Sequence, residues 1–223
     1  MREIPGIPYS FNDPELLTLA LSHRSVGRHN NERLEFLGDS VLNFVIAARL
    51  FDLRTDNDEG ELSRLRARVV RGHTLAKLAS GLKLGEYIKL GEGELKSGGF
   101  KRNSILADAL EAVFGAIYLD GGFKSCEAAI LHVCDPFIAL LPDADELKDS
   151  KTRLQEWLQG RGYPLPEYSV ISEKGPSHQK QFVVECVAKA AGIKVSGKGA
   201  SRQKAQQAAA AVALEFIAGM PKK

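Results

Sequence analysis

Cysteine is scarce in this sequence, with three in 223 residues. Cys126, Cys134 and Cys186 show neither CxxC nor His-linked metal spacing, so we expect buried thiols in a reducing, cytoplasmic compartment. Long apolar runs are also missing: none approaches the roughly 20 residues that cross a bilayer, and the N-terminus lacks a charged-then-apolar secretory pattern. These absences predict a cytoplasmic protein with no membrane partner.

A strong excess of one charge is absent from the whole chain, whose formal net charge is +2. Residues 149–223 nevertheless contain 12 Lys and Arg against 6 Asp and Glu, a net charge of +6. Residues 1–148 contain 18 against 22, a net charge of −4. The basic part suits a polyanion, whereas the acidic part would repel one unless bound cations intervene.

Strand-like alternation is missing from the first 120 residues, so residues 1–141 predict an all-α domain. Residues 142–149 are polar, mostly acidic and without a periodic core, which indicates a linker. Residues 150–219 then predict a compact α+β unit with the order α-β-β-β-α. Its two helices begin near Ser150 and Ser201, and its strands are expected at 168–172, 181–187 and 193–196.

One helical stretch carries an acidic stripe. Because successive helical residues are about 100° apart, Glu32, Glu35 and Asp39 share one face. The apolar residues of the opposite side are predicted to face the core: Leu34, Leu37, Val41, Phe44 and Val45. Such a stripe alone is most often an ordinary solvated face.

A second acidic pair changes that interpretation. Asp108 and Glu111 stand at i, i+3 in another apolar helix and share a face with Ala112 and Gly115. A mid-helix Gly costs about 1 kcal/mol relative to Ala, so we expect these small residues to let another helix approach closely. Two facing carboxylate pairs repel each other unless a hard cation lies between them, and Mg²⁺ prefers such oxygen ligands.

These stretches resemble the bacterial ribonuclease III family. The matches are NERLEFLGDS at 31–40, DEGELSR at 58–64 and SILADALE at 104–111. The resemblance implies an endonuclease that cleaves double-stranded RNA with Mg²⁺, with Mn²⁺ able to substitute, and that processes ribosomal and other RNA precursors. It also implies 5′-phosphate and 3′-hydroxyl products with short 3′ overhangs.

Carried onto this chain, the resemblance implies specific site residues. The metal ligands are Glu35, Asp39, Asp108 and Glu111, of which Asp39 and Glu111 are assigned as catalytic. Glu32 and Glu59 are supporting acids. The resemblance also implies a homodimer with Phe36 at its interface, and the position of Phe36, roughly 40° from Glu32 and away from the core face, agrees with that role.

The C-terminal part resembles the double-stranded-RNA-binding domain. The matches are KTRLQEWLQ at 151–159, the loop GPSH at 175–178 and GASRQKA at 199–205. The residues expected to contact RNA are Thr152, Gln155, Glu156, His178, Ser201, Arg202 and Lys204. Gln203 and Gln206 stand where the wider family often has basic residues, so changing both to Lys is expected to add phosphate contacts.

Three questions stay open at the level of sequence. The stretch 91–99 is too glycine-rich for a stable element and is either a flexible connector or, with Lys96, Lys101 and Arg102, a loop that closes over substrate phosphates. The main alternative function is a dsRNA-binding regulator that does not cleave, but mutually repelling carboxylates would serve no purpose there. A DNA nuclease is disfavoured because the C-terminal module resembles a reader of A-form RNA.

Overall fold

The computed structural model describes residues 1–143, 148–176 and 179–219 of the chain. It forms two compact units, Met1–Glu146 and Leu147–Lys223. Within the described residues, no helix is long and apolar enough to cross a membrane. The predicted linker 142–149 falls at the division, although its residues 144–147 lie outside the described part.

The first unit is helical, as the lack of alternation predicted. Its α-helices are α1 (Pro14–Ala20), α2 (Glu32–Leu53), α3 (Glu59–Val70), α4 (Gly72–Gly81), α5 (Glu92–Lys96) and α6 (Asn103–Ile138). In the described part of this unit, 3₁₀ turns lie at Arg24–Val26, Leu84–Glu86 and Gly99–Lys101. Long apolar side chains of α2 and α6 are fully buried against each other and form the centre of this unit: Leu42, Ile46, Leu50, Leu110, Phe114 and Ile117.

Two glycines let α2 and α6 touch. A Cβ at Gly38 would overlap the carbonyl oxygen of Glu111, and one at Gly115 would overlap the carbonyl oxygen of Leu34. The backbones therefore meet where each helix carries its acids, which confirms the close approach predicted from the small residue at 115. The α6 backbone is non-helical at Gly122, so this element consists of two helical segments; in the second, Asp135 accepts from Arg49 of α2 at 3.0 and 2.8 Å.

Two predictions for this unit are wrong. Phe44 was placed on the core face of α2, but its side chain is 62 % exposed and packs edge-on against Phe123 at 5.7 Å between ring centroids. The stretch 91–99 contains the short helix α5 rather than no stable element. This helix is anchored by tertiary contacts that its composition does not reveal: Arg102 binds Glu94 at 2.6 Å, and the Ser25 hydroxyl accepts from the Gly91 N–H at 2.8 Å.

The second unit has the predicted α-β-β-β-α order. It comprises α7 (Ser150–Gln159), β1 (Glu167–Lys174), β2 (Gln181–Ala188), β3 (Ile193–Gly199) and α8 (Arg202–Ala218). The strands form one antiparallel sheet in the order β1-β2-β3. Phe182, Val184 and Cys186 of β2 point to the buried side, where α8 packs through alanines. All three cysteines are free and buried, as predicted.

Candidate active site

Three carboxylates converge where α2 and α6 cross. Oxygen atoms of Glu35, Asp108 and Glu111 all lie within 4.8 Å of one another. Glu35 comes from the first turn of α2, and the other two are one helical turn apart on α6. The glycine contacts that bring the backbones together therefore also set the spacing of the acids.

The electrostatics of this cluster favour a bound cation. Burial, followed by the charges of Asp39, Glu35 and Asp108, raises the pKa of Glu111 to about 8. Burial is also the main cause that raises the pKa of Asp108 and of Glu35. For Glu35, neighbouring acids raise the pKa further. An all-oxygen donor set with excess negative charge fits a hard divalent cation, which would hold these groups ionised.

The other predicted acids lie around this cluster at different distances. Asp39 is exposed, is near enough to affect Glu111, and accepts a hydrogen bond from the Asn43 amide at 2.8 Å. Glu32 pairs with Arg24 at 3.8 Å on the rim. Glu59 is not brought to the cluster within one chain. It accepts from the Ser63 hydroxyl at 3.0 Å and lines a separate groove between α2 and α3.

A cavity of about 340 Å³ adjoins the cluster. Glu35 and Asp108 form one side of it, and the remaining wall includes His23, Arg24 and Arg102. Sequence reasoning placed no function on Arg24, because the loop before α2 shows no periodicity that indicates where its side chains point. Only the tertiary structure brings this residue next to the acids of two helices.

The RNA-contact residues predicted in the second unit lie on α7 and at the start of α8. Thr152 binds the Asp149 cap at 3.0 Å, Glu156 pairs with Lys148 at 3.0 Å, and Gln155 is exposed. Ser201 caps α8 by accepting from the Lys204 N–H at 3.2 Å. Lys204 and Arg202 have exposed side chains, and Arg202 also lies 3.5 Å from Glu173. His178 lies outside the described residues.

The structure shows a contact of Gln206 that the sequence did not predict. Its side-chain oxygen accepts from the Lys151 ammonium at 2.8 Å, so the residue joins α8 to α7 rather than standing free. The neighbouring Gln207 does the same, accepting from the Lys151 N–H at 3.1 Å and donating to Asp149 at 2.8 Å. Of the two glutamines, Gln203 is the exposed one and Gln206 is held against α7.

These features define a class of protein: a helical unit with a metal-compatible acidic centre, followed by a small α-β-β-β-α unit with exposed cations. A sequence model described as Ribonuclease-III-like matches residues 13–136, and one described as Double-stranded RNA binding motif matches residues 150–217. The chain belongs to the ribonuclease III family, a family of metal-dependent endoribonucleases.

Relatives match almost the whole chain. "Ribonuclease 3" of Hahella chejuensis is 55 % identical over 209 residues, covering 94 % of this chain and 92 % of the relative. "Ribonuclease 3" of Vibrio atlanticus is 52 % identical over 214 residues, covering 96 % and 95 % respectively. The nuclease domain of ribonuclease III from Campylobacter jejuni is a solved structure with TM-score 0.57 and 44 % identity, covering 58 % of this chain and 92 % of that one.

Proposed function

We propose that the protein hydrolyses phosphodiester bonds of double-stranded RNA with Mg²⁺, leaving 5′-phosphate and 3′-hydroxyl ends with short 3′ overhangs. The substrates proposed are ribosomal and other RNA precursors. The observation that carries this proposal is the convergence of Glu35, Asp108 and Glu111 at the crossing of α2 and α6. The three free, buried thiols agree with action in the reducing cytoplasm.

The proposed Mg²⁺ ligands are Glu35, Asp39, Asp108 and Glu111, and Mn²⁺ is expected to substitute. When bound, Mg²⁺ supplies an activated water and stabilises charge on the leaving oxygen. The chain itself supplies anionic oxygens from two helices whose spacing is fixed by the contact at Gly38. Glu111 must release its proton to become a ligand, since burial and neighbouring acids raise its pKa to about 8.

Two further acids are assigned supporting roles. Glu32 borders the cavity beside the cluster, where it can orient polar groups around the ligands. Glu59 lines a separate groove, together with the exposed Phe51 of α2.

Duplex affinity is assigned to the second unit, whose exposed face carries the start of α8 and one side of α7. Arg202 and Lys204 are the proposed phosphate contacts, and the α7 residues are the proposed minor-groove contacts: Thr152, Gln155 and Glu156. Ser201 holds the turn that presents these cations by capping α8. The net charge of +6 from residue 149 onward supports this assignment.

We also propose a homodimer formed by the helical unit. Phe36 is 78 % exposed and borders a mainly apolar groove that includes Leu16, Leu19 and Leu119. Phe44 of α2 and Phe123 of α6 add an exposed aromatic pair. Exposed apolar side chains grouped in this way are typical of an interface. The solved nuclease domain from Campylobacter jejuni is described as having structural flexibility in a region involved in dimer formation.

The decisive experiment compares Glu111→Gln with the wild-type protein on a perfect RNA duplex. We expect the wild type to cleave the duplex in Mg²⁺ and not in chelator. The variant should lose most of this cleavage, while its RNA binding in a gel shift stays nearly unchanged. Glu86→Gln, an exposed acid outside the site, is the matched control and should cleave normally. Binding without cleavage by the wild type in Mg²⁺ would instead favour a dsRNA-binding regulator that does not cut.

A further inference from the structure

We propose that Arg24 binds a phosphate of the cleaved strand beside the scissile bond. This inference rests on the proposed function, because it takes the carboxylate cluster as the place of hydrolysis. It adds a substrate-positioning cation from the loop before α2 to a site otherwise built from acids.

The backbone that carries Arg24 is held firmly. Arg24 opens a 3₁₀ turn, and the His23 ring before it accepts from the Ser25 N–H at 3.2 Å. The Ser25 hydroxyl in turn accepts from the Gly91 N–H, and the His23 N–H donates to the Lys89 carbonyl at 3.1 Å. The turn is therefore tied to the segment around α5, which fixes where the Arg24 side chain begins.

The guanidinium itself is loosely engaged. Arg24 lies 3.8 Å from Glu32, with 72 % of its side chain exposed. A charge-assisted hydrogen bond is normally about 2.7–2.9 Å long, so this pair is weak and easily exchanged for another anion. Arg102, across the same cavity, is by contrast held by Glu94 at 2.6 Å. Arg24 is the freer of these two arginines.

The position of Arg24 matches an electrostatic need of the site. Burial raises the pKa of both Glu35 and Asp108, and neighbouring acids raise that of Glu35 further; the charge of Arg24 acts against the rise in both, so the guanidinium lies close to the cluster. An RNA phosphate entering the 340 Å³ cavity meets those carboxylates and is repelled by any charge they keep. A guanidinium that lines the same cavity offsets this repulsion and offers a bidentate donor that fits phosphate.

The test combines variants at Arg24 with duplexes in which single phosphates near the mapped cleavage site are replaced by uncharged methylphosphonates. Binding is measured with Mg²⁺ in a Glu111→Gln background, so that the RNA stays intact. Neutralising one phosphate beside the scissile bond should weaken binding roughly tenfold when Arg24 is present, as expected for a charge-assisted hydrogen bond. In Arg24→Ala, the same methylphosphonate replacement should cause no further loss of binding affinity.

Two more measurements separate this role from a structural one. With natural RNA, log K falls as log salt rises. Arg24→Ala should make this slope shallower by about 0.9, and Arg24→Lys should restore the wild-type slope. Lys77→Ala, which removes an exposed cation of α4, is the matched control and should leave the methylphosphonate pattern unchanged. Thermal melting should be the same for all three variants, because both side chains are exposed.

The proposal would be overturned if each methylphosphonate replacement lowered the duplex affinity by the same factor with Arg24 as with alanine at position 24. Slower cleavage by Arg24→Ala without any phosphate-specific coupling would overturn it too, and would mean that Arg24 only offsets the charge of the carboxylates. A wild-type protein that binds but does not cleave would refute the proposed function instead. A scan extended to every phosphate of the duplex would then still report whether Arg24 contacts one of them, although not beside a scissile bond.

Discussion

At the scale of single residues, Glu111 is the group whose charge is most opposed by its surroundings. Its pKa is raised to about 8, first by burial and then by three neighbouring carboxylates. The folded protein therefore keeps this proton at pH values where the unfolded chain has released it. Without metal, stability should fall as pH rises from the ordinary carboxyl range to about 8.

We therefore predict that Glu111→Gln is more heat-stable than the wild type in chelator at pH 8, and no different at pH 4. The expected gain at pH 8 is roughly 2–4 °C, reduced because the side chain is partly exposed. Melting curves in EDTA at both pH values measure it, with Glu86→Gln as the control. A wild type that is the more stable of the two at pH 8 would show that the carboxylate is compensated within the chain.

Residue-scale prediction from sequence worked where helical spacing alone decides the outcome. Glu35, Asp108 and Glu111 could be proposed together from their periodicity and from the family resemblance, and the fold does bring them into one cluster. Phe44 was misplaced because it borders the apolar arc of α2, where a rotation of a few tens of degrees separates core from surface. The sequence did not indicate a role for Arg24, because residues in a loop show no periodicity from which the direction of a side chain can be predicted.

At the scale of elements, the contact between α2 and α6 determines the geometry of the site. A methyl group at Gly38 has no room against the backbone of Glu111, and the same holds at Gly115 against Leu34. We predict that Gly38→Ala destabilises the protein by about 1–3 kcal/mol, the usual cost of overpacking. It should also weaken the stabilisation by Mg²⁺, because separating the helices separates the ligands.

Gly81→Ala is the matched control for that prediction. Gly81 ends α4, and a Cβ there meets nothing within 4 Å. This change should leave stability equal or raise it by less than about 1 kcal/mol, through the better helix propensity of alanine. Urea unfolding with and without Mg²⁺ gives both quantities. Equal unfolding midpoints for the two variants would show that the helix crossing tolerates a side chain.

Element types were predictable over most of the chain, because helical periodicity in the first unit and alternation in β2 are strong local signals. The failure at α5 has a physical cause. Five residues have little helix propensity of their own, and this turn is held by Arg102 and Ser25, which lie outside it in the sequence. No local pattern encodes those contacts.

The element pair α7–α8 gives a further prediction. Gln203→Lys should tighten duplex binding and steepen the log K against log salt slope by roughly 1, since the position is exposed at the start of α8. Gln206→Lys should do neither, because it loses the bond to Lys151 and places two cations together. Titrations of a duplex longer than roughly 16 base pairs at several salt concentrations measure the slopes. Equal gains from both changes would show that the Lys151 contact is dispensable.

At the scale of the whole molecule, the charge is divided as the chemistry requires. The part with the carboxylate cluster is net negative, at −4 for residues 1–148, and the part assigned to duplex binding is +6. Composition alone predicts this division, because charge counts need no knowledge of the fold. Composition does not predict how many chains assemble, because an interface depends on which apolar side chains the fold leaves exposed.

The next prediction tests the assembly. A chain ending at Leu141 should remain dimeric in light scattering, because the exposed aromatic residues Phe36, Phe44 and Phe123 all belong to the helical unit. The matched variant Phe36→Ala in that truncation should weaken the dimer, whereas Phe100→Ala, an exposed aromatic near the N-terminus of α6, should not. A monomeric truncation would refute the interface assigned to Phe36.

The same truncation should cleave duplex RNA poorly at physiological salt and recover at low salt. It lacks the basic unit, so it must bind through a small number of phosphate contacts made by the helical unit, and such contacts strengthen as salt is lowered. Adding Arg24→Ala to the truncation should abolish most of that recovery, because it removes one of the few contacts left. Cleavage rates measured across a salt series decide the matter. Full activity of the truncation at physiological salt would mean that duplex affinity does not come chiefly from the C-terminal unit.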